Sequence, residues 1–311
     1  MKKKLMALVL SGVLFLQSAG MTYGADFSDG TEVEVYGDSE EFSDSDGTIP
    51  TEEPFTGGLN EEQKVQEETP EENEQDAESV TASQTSGTCG ENLKWELDNG
   101  TLTISGTGEM NSYICSKTPW YNSVRNIEKI VIKQGVTDIG GYAFSYCSSL
   151  TSITIPSGVT DIGESAFYGC SSLKNIDIPD KVTEIGDSAF RRCSSLMSIN
   201  IPKEVTEIGR QAFGSCVSLT SINIPKRVTR LEDLFSNCSS LRSVTFEKGS
   251  QLKYMVEGVF CDCEALTSIE IPASVEMIDM YYCINLANIY CYPSIPPILN
   301  DFRCKNFVLY V

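Results

Sequence analysis

The feature that most restricts how this chain can fold is a repeat of 23 residues. Val136, Val159, Val182, Val205 and Val228 stand 23 apart, as do Phe144, Phe167, Phe190 and Phe213, with Phe235 and Phe260 following at 22 and 25. Cys147, Cys170, Cys193, Cys216, Cys238 and Cys263 keep step, and so do Leu150, Leu173, Leu196, Leu219, Leu241 and Leu266. The unit from Val159 to Lys181 reads V-T-x-I-G-x-x-A-F-x-x-C-x-S-L-x-x-I-x-I-P-x-x. Each unit holds too few apolar side chains to bury a core of its own, so it must stack on its neighbours and share one interior with them.

A fixed period between 20 and 29 residues containing L-x-x-I-x-I points to a leucine-rich-repeat solenoid, each unit giving one strand to a parallel sheet. Strands are expected over 127–132, 150–155, 173–178, 196–201, 219–224, 241–246, 266–271 and 286–291. Pro156, Pro179, Pro202, Pro225 and Pro272 follow five of them and end each one, because proline donates nothing to a ladder. The A-F-x-x-C pieces are too short for real helices and predict single helical turns, with a second short extended piece at V-T-x-I. The predicted fold class is therefore a β-dominated repeat solenoid of leucine-rich-repeat type, a parallel β-sheet with short helical turns, preceded by a disordered segment.

Ahead of the array, Leu93 to Ile104 alternates apolar and polar residues around Asn99-Gly100, a strong hairpin signal. With Trp120 and Tyr121 it reads as an N-terminal cap over 88–126, covering an interior that would otherwise stand open. The array proper occupies 127–311, with a shortened unit at Val275 to Ile289 and a partial C-terminal unit ending in the apolar stretch Phe307 to Val311, an exposed edge.

Lys2, Lys3 and Lys4, the apolar run Leu5 to Leu16 and small residues up to Ala25 make 1–25 a secretory signal peptide. About a dozen apolar residues fall short of the roughly 20 needed to cross a bilayer, and no integral membrane segment is expected. Residues 26–87 form an acidic linker holding 20 acids against one base, Lys64, which accounts for −19 of the formal −21. Such a stretch cannot offset the entropy of ordering and is expected to be a disordered, charge-extended tether reaching on the order of 45 Å. The fragment around Asp44, Asp46 and Glu53 has Phe42 where a calcium loop needs its first ligand, so it reads as spacer.

Composition removes several functions. The chain has no histidine, the usual general base and the commonest metal ligand, so most hydrolase and zinc readings lose their central residue. An acidic chain without a basic cluster repels phosphate backbones and excludes nucleic acid as a partner. Six of the 12 cysteines recur at one inward position and are expected to be free thiols, because parallel neighbouring side chains sit too far apart at Cβ for a good bridge. Cys89, Cys115, Cys261, Cys283, Cys291 and Cys304 fall outside that register and could pair, with no partner assigned. A straight row of thiols offers no tetrahedral metal geometry. Asp177 and Glu270, four strands apart and thus roughly 19 Å, are too far for a glycosidase pair. No catalytic, cofactor-binding or metal-binding residue is assigned.

Over residues 87–311 the repeat resembles the BspA-like class of bacterial leucine-rich-repeat surface proteins, which show the same V-T-x-I-G-x-x-A-F-x-x-C-x-S-L-x-x-I-x-I-P unit. The likeness extends to the lead-in Cys89 to Leu97 and to Pro119-Trp120-Tyr121. It implies an exported, non-enzymatic protein at the cell surface or secreted, engaging a host or neighbouring-cell surface protein. The expected contact surface is the concave face, made by the outward residues of each L-x-x-I-x-I strand. One column is Ser152, Asn175, Ser198, Ser221, Ser243, Ser268 and Asn288; the other is Thr154, Asp177, Asn200, Asn223, Thr245, Glu270 and Tyr290. The alternative is a structural surface protein that self-associates end to end through the strand at Phe307 to Val311.

Overall fold

A computed structural model describes residues 85–114, 117–279, 282–283, 285–291 and 297–300, together with the backbone of the strands Phe15–Ser18, Met21–Asp26, Val33–Tyr36 and Val308–Tyr310. Most of the expected leader and acidic linker, and Cys115 and Cys304, lie outside the described residues. Over the described residues from 85 onward the chain winds as a β-solenoid in which most coils carry two short strands joined by tight turns.

The V-T-x-I pieces build one parallel sheet. Val136–Ile139, Asp161–Ile162, Glu184–Ile185 and Glu207–Ile208 run side by side with Asp138, Asp161, Glu184 and Glu207 in register. After a break, Arg230–Glu232, Tyr254–Val256, Met277–Asp279 and Ile298–Asn300 continue the pattern. The L-x-x-I-x-I pieces form the opposite wall. Lys129–Ile132 pairs with Ser152–Thr154, Ser221–Ile224 with Ser243–Phe246, and Ser268–Ile271 with Asn288–Cys291. Of the ladders expected across 173–178 and 196–201, a single bridge forms, Asp177 to Asn200. The opposite sheet and the turns already tie these coils together, so the full ladder is not needed there.

The repeat's small residues explain the path between the walls. Each Pro carbonyl accepts from the valine three residues on, as in Pro179 to Val182 at 3.0 Å, closing the turn that starts the next strand. On the other side the expected helical turns take the form of linked tight turns. Gly163 and Phe167 carbonyls accept from Ala166 and Cys170, and the residues in between alternate into the left-handed region, Ser165 at φ 51 and Gly169 at φ 71. That reversal prevents a helix from growing and repeats in each neighbouring coil at Ser188 and Arg192, then Gln211 and Ser215. Gly186 sits where a Cβ would come within 2.6 Å of the Glu164 amide nitrogen, and Gly209 stands over Asp187 in the same way. The glycine after V-T-x-I is thus required by the closeness of the coil beneath.

The interior is a set of single-residue columns. Phe144, Phe167, Phe190, Phe213, Phe235 and Phe260 are all fully buried, with ring centroids 5.3–5.9 Å apart. Beside them each thiol donates to a phenylalanine carbonyl of the preceding coil, Cys170 to Phe144, Cys193 to Phe167 and Cys216 to Phe190 at 3.2 Å. Phenylalanine amides in turn donate to the next coil, Phe167 to Ala189 and Phe190 to Ala212 at 2.8 Å. Trp120 begins the aromatic column, 6.0 Å from Phe144, and its indole donates to the Ala143 carbonyl at 2.9 Å. Trp95 meets Trp120 edge-on at 5.6 Å. It comes from the hairpin Leu93–Asp98 and Thr101–Gly106, whose turn residues Asn99 and Gly100 are both left-handed, as a two-residue hairpin turn requires. The second hairpin strand pairs in parallel with Lys129–Ile132, joining this lead-in to the first coil.

Truncating a mid-column ring should cost roughly 3–5 kcal/mol, the usual price of a large buried cavity. Phe190→Ala is expected to lower the urea midpoint accordingly. Gly186→Ala should cost about 1–3 kcal/mol by overpacking against backbone that cannot move aside. An unshifted urea midpoint for Gly186→Ala would show that the coils have slack at that contact.

Candidate functional site

A solenoid of this kind turns its apolar residues inward and leaves the alternate positions of each strand pointing to solvent. On the L-x-x-I-x-I face, the structure places both predicted columns side by side. Ser152, Asn175, Ser198, Ser221, Ser243 and Ser268 are exposed, as are Thr154, Asp177, Asn200, Asn223, Thr245 and Glu270, while Asn288 and Tyr290 are half-buried. Register fixes their spacing along the stack: Ser221 lies beside Ser243, Asn223 beside Thr245, Ser268 beside Asn288 and Glu270 beside Tyr290. The Thr245 hydroxyl donates to the Asn223 side-chain oxygen at 2.9 Å, so neighbouring coils share polar contacts across the surface. Beneath them, Ile176, Ile199, Ile222, Val244 and Ile269 are buried and hold the strands rigid.

Sequence reasoning omitted a third exposed column, the residue directly after each leucine. It comprises Thr151, Lys174, Met197, Thr220, Arg242, Thr267 and Ala287. Its signal was the first x of L-x-x-I, an outward position whenever the leucine points in. Arg192 lies with its guanidinium carbon 5.7 Å from the centre of the Tyr168 ring, and Tyr168 meets Tyr146 edge-on at 5.2 Å.

The opposite sheet carries a row that the sequence reading also passed over: Asp138, Asp161, Glu184 and Glu207, each directly beside the next. Partial burial, with the neighbouring carboxyl of Asp161, pushes the Asp138 carboxyl up, against hydrogen bonds from Thr137 at 2.6 Å and Thr160 at 3.3 Å that favour its charge. Glu184 is raised by partial burial first and then by the charges of Glu207, Asp161 and Asp187. The signal was the third residue of V-T-x-I, which reads Asp, Asp, Glu, Glu through four units.

The thiols have no role in this surface. Burial pushes Cys147 and Cys193 up to about 12 and holds Cys170, Cys216 and Cys238 well above an ordinary thiol, so all stay protonated and non-nucleophilic at neutral pH. Cys89, Cys261 and Cys291, which the sequence left open to pairing, carry free thiols. Among the described residues, no three cysteine or carboxylate side chains gather as a metal site, and no helix is long and apolar enough to cross a membrane.

Residues 115–234 and 231–303 match, in six copies, the family described as BspA type leucine rich repeat region. No curated protein matches the chain. Among solved structures, a leucine-rich-repeat protein of T. pallidum is 26% identical over 56% of this chain and 87% of its own, with a TM-score of 0.47. A leucine-rich-repeat protein of Bacteroides ovatus is 26% identical over 68% and 66%, with a TM-score of 0.49. One from Eubacterium ventriosum is 25% identical over 68% and 75%, with a TM-score of 0.42.

The acidic row sets the pH response. The folded state holds protons on Asp138 and Glu184 more tightly than the unfolded chain does, so protonation favours folding. That contribution is complete below the ordinary carboxylate range, about pH 4, and is lost as pH rises through the raised values. Glu184→Gln is therefore expected to raise the melting temperature at pH 7, with the gain over the parent shrinking toward pH 4. Thermal melts by circular dichroism at the two pH values check this, and an equal gain at both would show that the row carries no repulsion.

Proposed function

Because the chain belongs to the BspA-type leucine-rich-repeat family, we propose that it is an exported, non-enzymatic binding protein whose L-x-x-I-x-I face engages a protein on a host or neighbouring cell. The observation that carries this reading is the face itself, three columns of exposed, mostly short side chains above a buried row of isoleucines and Val244. Amides and hydroxyls held on a rigid sheet offer many hydrogen bonds while losing little side-chain entropy on contact, which suits a broad interface. Residues 1–25 act as the export signal and 26–87 as an acidic tether, of which Val33–Tyr36 lies along the last strand of the array, with the mature protein secreted or at the cell surface.

End-to-end self-association is the second reading, and one observation bears on it. Val308–Tyr310, the strand it would use, runs antiparallel to Val33–Tyr36, so a second array would have to displace that segment. Lysine at Asn175, Asn200 and Asn223 together places three charges in the middle of the face without touching the core. The triple variant is expected to lose capture of an extracellular-matrix protein that the parent retains, while sedimentation shows the same mass for both. Capture by the triple variant equal to the parent's, with a self-associated species in sedimentation that Val308→Lys abolishes, would replace the first reading by the second.

A further inference from the structure

The L-x-x-I-x-I wall is interrupted where the repeat changes length. Ser243–Phe246 bonds only to Ser221–Ile224, and Ser268–Ile271 only to Asn288–Cys291, so no ladder joins the two facing edges. Between their outward surfaces opens a cleft of 610 Å³, within the range of small-ligand sites. Its cause is local. Where other units have I-P-x-x-V, this one reads Phe246-Glu247-Lys248-Gly249-Ser250-Gln251-Leu252, two residues longer and without the proline. The extra length folds as a turn, Ser250 donating to the Glu247 carbonyl at 3.0 Å with Gly249 at φ 79, and this turn forms one wall.

Two cations border the cleft, Arg242 and Lys248, and neither forms an ion pair among the described residues. Arg227, Arg230 and Lys253, by contrast, each have a carboxylate at 2.8–3.0 Å. Of the two acids that line the cleft, Glu247 is engaged by the Lys226 backbone amide at 3.1 Å. Glu270 stands exposed on the floor among serine and threonine hydroxyls, and the Ser274 hydroxyl is buried with no partner. Tyr290, the one aromatic of the two predicted columns, lies beside Glu270 in the same cleft. The apolar lining residues Val244, Ile269 and Ile271 are buried and Phe246 is half-buried, so the charged groups and most of the hydroxyls are the parts of the cleft turned to solvent.

We propose that this cleft binds a carboxylate-bearing saccharide. Arg242 and Lys248 take the carboxylate through charge-assisted hydrogen bonds. Glu270, an acceptor only, and the neighbouring hydroxyls take the sugar hydroxyls, and the Tyr290 ring packs against the apolar face of a sugar ring. The site shares Arg242, Ser243, Thr245, Ser268, Glu270 and Tyr290 with the proposed protein-binding face but needs no protein partner.

Calorimetric titration of the full chain with tetragalacturonate, a hyaluronan hexasaccharide, uncharged cellotetraose and a tetraglutamate peptide tests it. At least one of the two acidic saccharides is expected to bind, and cellotetraose and tetraglutamate to show no heat of binding. Arg242→Glu and Lys248→Glu, both at exposed positions, should each weaken the saccharide by about tenfold or more, the loss of one charge-assisted contact. Tyr290→Ala should weaken it as well, with circular dichroism unchanged in all three. The triple lysine variant at Asn175, Asn200 and Asn223 should keep the saccharide, so loss of protein capture and loss of the sugar are separable. Silence from both acidic saccharides, equal binding of tetraglutamate, or full affinity in Arg242→Glu would overturn the proposal.

Discussion

The molecule depends on one contact made again and again, the seating of each coil on the last through its Ala-Phe turn. There a phenylalanine ring meets the ring below, its amide donates to the next coil, and a buried thiol donates back to the preceding phenylalanine carbonyl. All three are made within one turn, so an error in any of them misplaces the other two. The strands on either wall are short, several only two residues, and would have little stability of their own. They persist because the turn beside them has already set the distance between coils.

This explains the economy of the repeat. Cysteine at the inward position is small enough for the crowded column and brings a donor that serine would also bring, but without a hydroxyl's cost of burial. Glycine follows the V-T-x-I strand because the backbone beneath leaves no room for a Cβ. Glu232, Val256 and Asp279 take that place in the later units, whose strands form a sheet of their own, separate from the one that ends at Glu207–Ile208.

Much of the fold was legible because the repeat states the same solution six times. The inward columns, the proline turns, the hairpin about Asn99-Gly100 and the place of Trp120 in the lead-in all follow from the sequence, whereas its stacking on Phe144 does not. What escaped was geometry between coils. No pattern in a single unit tells that Ser165 and Gly169 adopt left-handed conformations, which turned the expected helical turns into linked tight ones. The thin ladder near Asp177 and Asn200 was equally hidden, since the residues there match those of better paired coils. For the surface, alternation revealed two columns and their order, and the Arg242 column stood in the first x of L-x-x-I, whereas the contact of Tyr168 with Arg192 and the crowding of Asp138 with Asp161 arise from side chains 23 residues or so apart in sequence that meet only when coils stack. The cleft beside Tyr290 was signalled by a change of unit length, yet length alone does not say on which side the surplus will bulge.

The equivalence of successive coils at the Ala-Phe turn makes the middle of the array modular. A middle unit offers on its upper side the same donors, acceptors and ring face that it receives on its lower side, as Phe190 does between Phe167 and Phe213. Taking out one such unit of 23 residues, or inserting another, therefore leaves no unmatched joint. The length of the exposed face is thus set by how many coils are stacked and not by the sequence of any one of them.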